Sequence, residues 1–268
     1  MKLSVAIAPQ DALPSAFVVW RGLEKSIIKA SEYGYDGVEL ALSSKEDIDV
    51  NNIRKICKDN AVEISAISTG QVFADSGLYL THPDSKKRQE TKDCLKGLID
   101  LAAEFGQKLN IGRVRGVIPE ESTYNSTLKL FVEEINNIAN YADEQEVEII
   151  IEPVNRYEIN FINNLEEGSK VIEKINKENV KLMPDIFHMN IEDASIVAKL
   201  VQFSKKISYI HFADNNRLAP GKGNLNFSEI IKTLEAINYD GWITVEILPE
   251  PDPDAAALQA KNYLNQLI

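Results

Sequence analysis

The chain has 268 residues, 44% of them hydrophobic, and carries 41 acidic against 29 basic side chains for a net charge of −12. This is enough apolar material for one large core or two small ones. The acidic balance repels phosphate backbones and anionic lipid, so nucleic acid and membrane partners are not expected, and no apolar run approaches the roughly 20 residues of a membrane span.

The N-terminal MKLSVAIA begins like an export signal, but Pro9, Gln10 and Asp11 cut the apolar run short, so it reads as a first strand and the compartment as cytoplasmic. Helix packing is expected around Trp20 and Tyr33, followed by a second strand, DGVELAL from Asp36, and a third, VEISAI from Val62. Cys57 and Cys94 fall in helix-like segments with no CxxC spacing and read as free thiols. Asp84 and Ser85 can cap a long helix that Gly106 can stop; the fourth strand, KLNIG from Lys108, follows. Glu121, Ser122 and Thr123 precede another helix, through Glu144. Then come VEIIIE from Val147, a helix started by Asn163 or Asn164, VKLMPD from Val180, ISYIH from Ile207, a helix after Asn226, and WITVEI from Trp242.

Strict alternation of strand and helix, eight times over about 250 residues, implies a parallel sheet, because parallel neighbours need crossovers. Both the number and the length fit a (β/α)8 TIM barrel, one domain over residues 1–268. A doubly wound open sheet would want a glycine-rich phosphate turn after the first strand, and APQDALPS offers none.

In such a barrel the strand C-termini carry the chemistry. Glu152 ends the fifth strand, Asp185 the sixth and His211 the seventh, and Glu246 lies near the end of the eighth. A lone strand-end glutamate is usually a solvated rim residue. Four metal-competent groups on four consecutive strands point instead to one divalent ion. Three carboxylates and an imidazole suit Mn²⁺, the expected ion, with Co²⁺ or Mg²⁺ as alternatives. Such an ion can stabilise an enediolate formed beside a ketone, while Glu152 and Glu246 remove and return a proton from opposite faces. Glu158, His188 and Arg217 follow these strands on loops and can hold substrate hydroxyls.

EPVNRYE, PDIFHMNIED and HFADNNRLAPGKG resemble the matching segments of the ketose 3-epimerase branch, typified by D-tagatose 3-epimerase, within the xylose isomerase-like TIM-barrel superfamily. GYDGVEL, GLYLTHPDSKKRQ and GWITVEI extend the likeness over nearly the whole chain. The resemblance implies metal ligation by Glu152, Asp185, His211 and Glu246, an acid/base pair in Glu152 and Glu246, and substrate contacts from Glu158, His188 and Arg217. It also implies a homo-oligomer, a dimer or tetramer, acting on a sugar or sugar acid. STGQVFADSGLYLTHP and IGRVRG are similar to a sub-branch acting on keto sugar acids of the 5-keto-gluconate type. Arg113 and Arg115 can take a carboxylate, or can sit in a solvated loop or subunit contact.

Weaker signals remain. Lys222 in PGKGN can meet an anion, Glu39 can meet a substrate hydroxyl or serve the barrel floor, and His82 reads as a cap or surface residue. Phe187 and Met189 can pack under the site. Aldose–ketose or hydroxypyruvate-type isomerisation on the same scaffold is the alternative to epimerisation. A sugar-binding barrel without catalysis would not need both acid/base candidates. A nuclease of the endonuclease IV kind would need a histidine-rich three-metal cluster, whereas this chain has three histidines in all.

Overall fold

A computed structural model describes residues 1–13 and 17–268. Its parallel strands are β1 (Lys2–Ala8), β2 (Trp20–Arg21), β3 (Gly37–Ala41), β4 (Glu63–Ser68), β5 (Lys108–Ile111), β6 (Glu148–Ile151), β7 (Val180–Leu182), β8 (Tyr209–Phe212) and β9 (Trp242–Val245). Without β2 they run in the order β7-β6-β5-β4-β3-β1-β9-β8, with helices between, as a single-domain (β/α)8 TIM barrel. The eight expected strands are present, several shorter at one end. The short β2 is an addition: Trp20 and Arg21 pair with Ile7 and Ala8 at the end of β1. Trp20 therefore sits in a strand rather than a helix, and its indole N–H donates to Asp254 at 2.8 Å.

Period-two alternation builds two cores from each strand. Leu3, Val5 and Ile7, with Ile149, Ile151, Ile210, Phe212, Ile243 and Val245, face outward into the layer between sheet and helices. The intervening residues face the barrel lumen: Ser4 and Ala6 from β1, Glu39 from β3, Asn110 from β5, Tyr209 and His211 from β8, and Thr244 from β9, all essentially buried. Continued one residue past β6 and β9, the same parity aims Glu152 and Glu246 inward. The sequence therefore delivers these carboxylates to the lumen by counting in twos from an apolar anchor.

Helices α1 (Leu23–Glu32) and α2 (Val50–Asn60) follow β2 and β3, and the helix boundaries further along follow side-chain caps. Asp84 accepts the N–H of Lys86 ahead of α4 (Ser85–Ala103), Thr123 forms a capping box with Ser126 ahead of α5 (Tyr124–Glu144), and Asn164, rather than Asn163, caps α6 (Leu165–Ile175). Asn226 caps α9 (Phe227–Ala236). Gly106 lies beyond the end of α4 and does a different job. A Cβ there would stand 2.2 Å from the carbonyl oxygen of Ile64, so the chain can pass over β4 only as glycine. The loop after β4 holds a seven-residue helix, α3 (Gly70–Ser76), too short to show a helical period in sequence. Among the described residues no helix is long and apolar enough to cross a membrane. Cys57 and Cys94 are free and half-buried, and burial pushes each thiol up to about 11.

Candidate metal centre and active site

Glu152, Asp185, His211 and Glu246 converge on the C-terminal mouth of the barrel, each offering a ligand atom within 4.8 Å of the others. Asp185 lies past the end of β7 and caps α7 (Ile186–Glu192), where its Oδ1 accepts the N–H of Phe187 at 2.7 Å. Its other oxygen is thereby aimed at the cluster. His211 is fixed from behind, with Nε2 2.8 Å from Glu39 Oε2. A carboxylate only accepts, so Nε2 carries the proton of this bond. Nδ1 is buried without a hydrogen-bond partner and stands 3.4 Å from Glu246, 3.7 Å from Glu152 and 3.9 Å from Asp185. A bare imidazole nitrogen among three carboxylates, backed by a fourth that sets its tautomer, fits a divalent cation with hard oxygen donors.

Burial on its own would raise the Glu152 carboxyl. Charge from His211 and His188, with the hydrogen bond from Asn110, outweighs it and holds the group at about 2. Burial likewise opposes a charged His211, yet the Glu39 and Glu152 carboxylates raise it well above the ordinary histidine range, so a proton competes with a cation for Nδ1. Glu152 also needs room on its outer side. A Cβ at Gly112 would lie 2.7 Å from Glu152 Oε2, so glycine after β5 is a condition for the carboxylate's position. Asn110 donates to the same oxygen at 3.1 Å.

Above the cluster opens a cleft lined among others by Phe17, Ser68, Gln71, Arg113, Glu152, Glu158, His188, Arg217 and Glu246. Arg217 donates to Asp185 Oδ2 at 2.5 Å and to Glu246, and its guanidinium lies 4.8 Å from the ring centres of both Phe17 and Phe187. Its backbone is left-handed, with φ 61°, and the N–H of Leu248 holds its carbonyl at 2.9 Å. His188 places Nε2 3.7 Å from Glu152 and 3.8 Å from Asp185, while burial lowers its pKa. Arg113 stacks over Phe73 at 5.7 Å and reaches the cleft.

Other expected positions lie apart from the cleft. Arg115 is fully buried: its Nε donates to the carbonyl of Phe161, Nη1 to those of Gly112 and Glu152, and Nη2 to that of Ile162. It braces the end of β6 and does not line the cleft. Glu39 is beneath the cluster as the partner of His211, and Lys222 is exposed on its turn outside the cleft. His82 is half-buried, accepting the N–H of Asp84 on Nδ1. Asn110, Asn155, Gln71, Gly112 and Phe17 carried no expected role. For Asn110 a signal existed, a polar residue at the inward position of the buried strand KLNI.

A parallel barrel with a cluster of carboxylates and imidazole at its C-terminal mouth defines an enzyme-like barrel with a metal-competent centre. The chain belongs to the xylose isomerase-like TIM barrel family, whose model matches residues 27–267. It is 29% identical over 232 residues to the L-ribulose 3-epimerase of Methylomonas sp. (strain DH-1), covering 84% of this chain and 78% of that one. It is 25% identical over 232 residues to the hydroxypyruvate isomerase of Escherichia coli (strain K12), covering 85% and 88%. Among solved structures, a D-allulose 3-epimerase from Methylomonas sp. in complex with D-allulose superposes with a TM-score of 0.85 at 23% identity, covering 100% of this chain and 97% of that one.

Proposed function

We propose that the protein is a divalent-metal-dependent epimerase that inverts the hydroxyl-bearing carbon beside the keto group of a ketose or keto sugar acid. One observation carries this reading: two carboxylates, Glu152 and Glu246, reach the same cleft from non-adjacent strands around one cation-competent cluster. Glu152, Asp185, His211 and Glu246 would hold the ion, Mn²⁺ in the first instance. When bound, it supplies a positive charge beside the substrate's keto oxygen.

Glu152 is ionised at neutral pH, the form in which a carboxylate can accept a proton. Glu246, entering the step as the protonated acid, delivers its proton from the other face, leaving Glu152 protonated and Glu246 ionised, and the carbon inverts through a planar enediolate. His188, Arg217 and Glu158 surround the cleft with hydrogen-bonding groups that orient the sugar. Phe17 and Phe187 flank the Arg217 guanidinium and shield it from water. Arg113 is the cleft-lining cation with no carboxylate partner among the described residues, and it suits the carboxylate of a sugar acid. The names of the epimerase relatives support this reading; the likeness to a hydroxypyruvate isomerase keeps isomerisation as the second one.

The test is NMR of ketoses and keto sugar acids incubated with the Mn²⁺-loaded protein in D₂O, then freed of metal. Deuterium at the hydroxyl-bearing carbon beside the ketone, with the epimer appearing, is the expected outcome. Label at a terminal carbon with an aldose appearing would establish isomerisation instead. Glu152→Gln and Glu246→Gln should each abolish turnover in a folded barrel, and near wild-type rates from either would end the two-carboxylate mechanism.

A further inference from the structure

Asn155, in the turn after β6, is 2% exposed and has no catalytic assignment of its own. Its Oδ1 accepts the N–H of Tyr157 at 2.9 Å, which fixes which end of the amide is oxygen. Nδ2 is then 3.0 Å from Glu158 Oε1 and 2.8 Å from His188 Nδ1. An amide nitrogen has two hydrogens and accepts nothing, and a carboxylate only accepts. One hydrogen goes to Glu158 and the other to His188.

His188 Nδ1 must therefore be an acceptor, and the single proton of the neutral ring resides on Nε2. That N–H faces the cleft. The carboxylate oxygens at 3.7 Å and 3.8 Å are too distant to take it as a hydrogen bond, so it is left for a ligand. A second proton could enter only at Nδ1, against the amide N–H of Asn155.

We propose that Asn155 is a positioning residue that locks His188 as the neutral Nε2–H tautomer, making it a fixed hydrogen-bond donor to a substrate oxygen and barring it from acting as a base. The identity of the ligand rests on the proposed sugar chemistry, but the tautomer does not. The same amide holds Glu158, so one side chain sets a donor and an acceptor next to each other on the cleft wall.

The tautomer can be read without any substrate. Full-length protein labelled with ¹⁵N-histidine, metal-free and loaded with diamagnetic Mg²⁺, would be examined by long-range ¹H–¹⁵N correlation, with His188 assigned by loss of its signals in His188→Gln. The expected spectrum shows Nε2 as the protonated nitrogen and Nδ1 as the bare one. Asn155→Asp places an acceptor at Nδ1 and should move the proton there, with kcat falling roughly 10–100-fold, on the scale typical of partners that orient a functional histidine. Asn155→Ala should give a mixture of tautomers. A wild-type proton on Nδ1, a doubly protonated ring, or an unchanged tautomer in both Asn155 variants would overturn the proposal. Failure of the sugar chemistry would show separately, as no deuterium exchange in any sugar while the tautomer remains as stated.

Discussion

Asp185 and His211 form a parallel bridge across the join between β7 and β8, which is closed by only two isolated bridges. The other bridge pairs Leu182 with Ile207, and the N–H groups of Ser208 and His211 reach the carbonyls of Leu182 and Pro184 at 3.2 Å and 3.0 Å. Two of the four cation-competent residues thus stand on opposite sides of a thin seam in the wall. An ion bound to both would staple it.

Mn²⁺ at about 100 times its dissociation constant should therefore stabilise the fold by about 2.7 kcal/mol, or roughly 5–10 °C in melting temperature for a chain this long. The local signature is more specific. Hydrogen exchange by mass spectrometry should show the amides of Ser208 and His211 gaining protection on metal addition while the β3–β4 ladder changes little. Uniform protection, or none at the seam, would separate ion binding from barrel closure.

Arg115 makes a second prediction. Its guanidinium gathers four backbone carbonyls, including that of Glu152, and burial lowers its pKa to about 10, still charged at neutral pH. Lysine has the charge but not the planar fork that reaches four acceptors. Arg115→Lys should cost about 3 kcal/mol in urea unfolding, because buried carbonyls lose charged donors, and should weaken metal binding by shifting the end of β6. Unchanged metal affinity in a destabilised variant would confine Arg115 to stability.

Much of this architecture was legible beforehand because a buried parallel strand writes its register as an apolar run, and the residue ending that run is aimed by parity. This is how Glu152, Asp185, His211 and Glu246 could be found from strand ends. Arg115 was not legible: an arginine in a loop next to a candidate site reads as an anion contact, and only three-dimensional packing shows four carbonyls around it. Asn155 failed for a related reason. Its value lies in the partners its two amide hydrogens find, on Glu158 and on a different βα unit. Residues 14–16, which take in the last two residues of the APQDALPS segment, lie outside the described residues.

Below the metal-competent cluster the lumen is polar. Tyr209 OH lies 2.6 Å from Ser65 Oγ and 2.5 Å from Thr244 Oγ1, and Ser65 also donates to Ser4 at 3.0 Å. The Tyr209 ring meets the His211 imidazole at 5.9 Å between centres. Tyr209→Phe removes the shared hydroxyl while keeping the ring beneath His211. The expected cost is about 1–2 kcal/mol from the hydroxyls left short of a partner, with little change in metal affinity, measured by denaturant unfolding and metal titration. No loss of stability would mean that Ser4, Ser65 and Thr244 satisfy one another without it.

Asp193, at the break between α7 and α8 (Ile196–Phe203), has a buried Oδ2 with no hydrogen-bond partner among the described residues. Burial raises its carboxyl to about 6, more than the Lys199 charge and the Leu165 N–H lower it. The folded state therefore binds this proton more tightly than the unfolded chain. Below the ordinary carboxylate range both states hold the proton and nothing is lost. As pH rises from about 4 to about 6 the folded state must ionise a poorly solvated group, and stability falls, with the full deficit present above about 6. Discounted for partial solvent exposure, that deficit is about 1 kcal/mol. Asp193→Asn should match wild type near pH 4 and exceed it by this amount at pH 7, read as parallel urea titrations. Equal stability at both pH values would show that the carboxylate finds a counter-charge or water that offsets its burial.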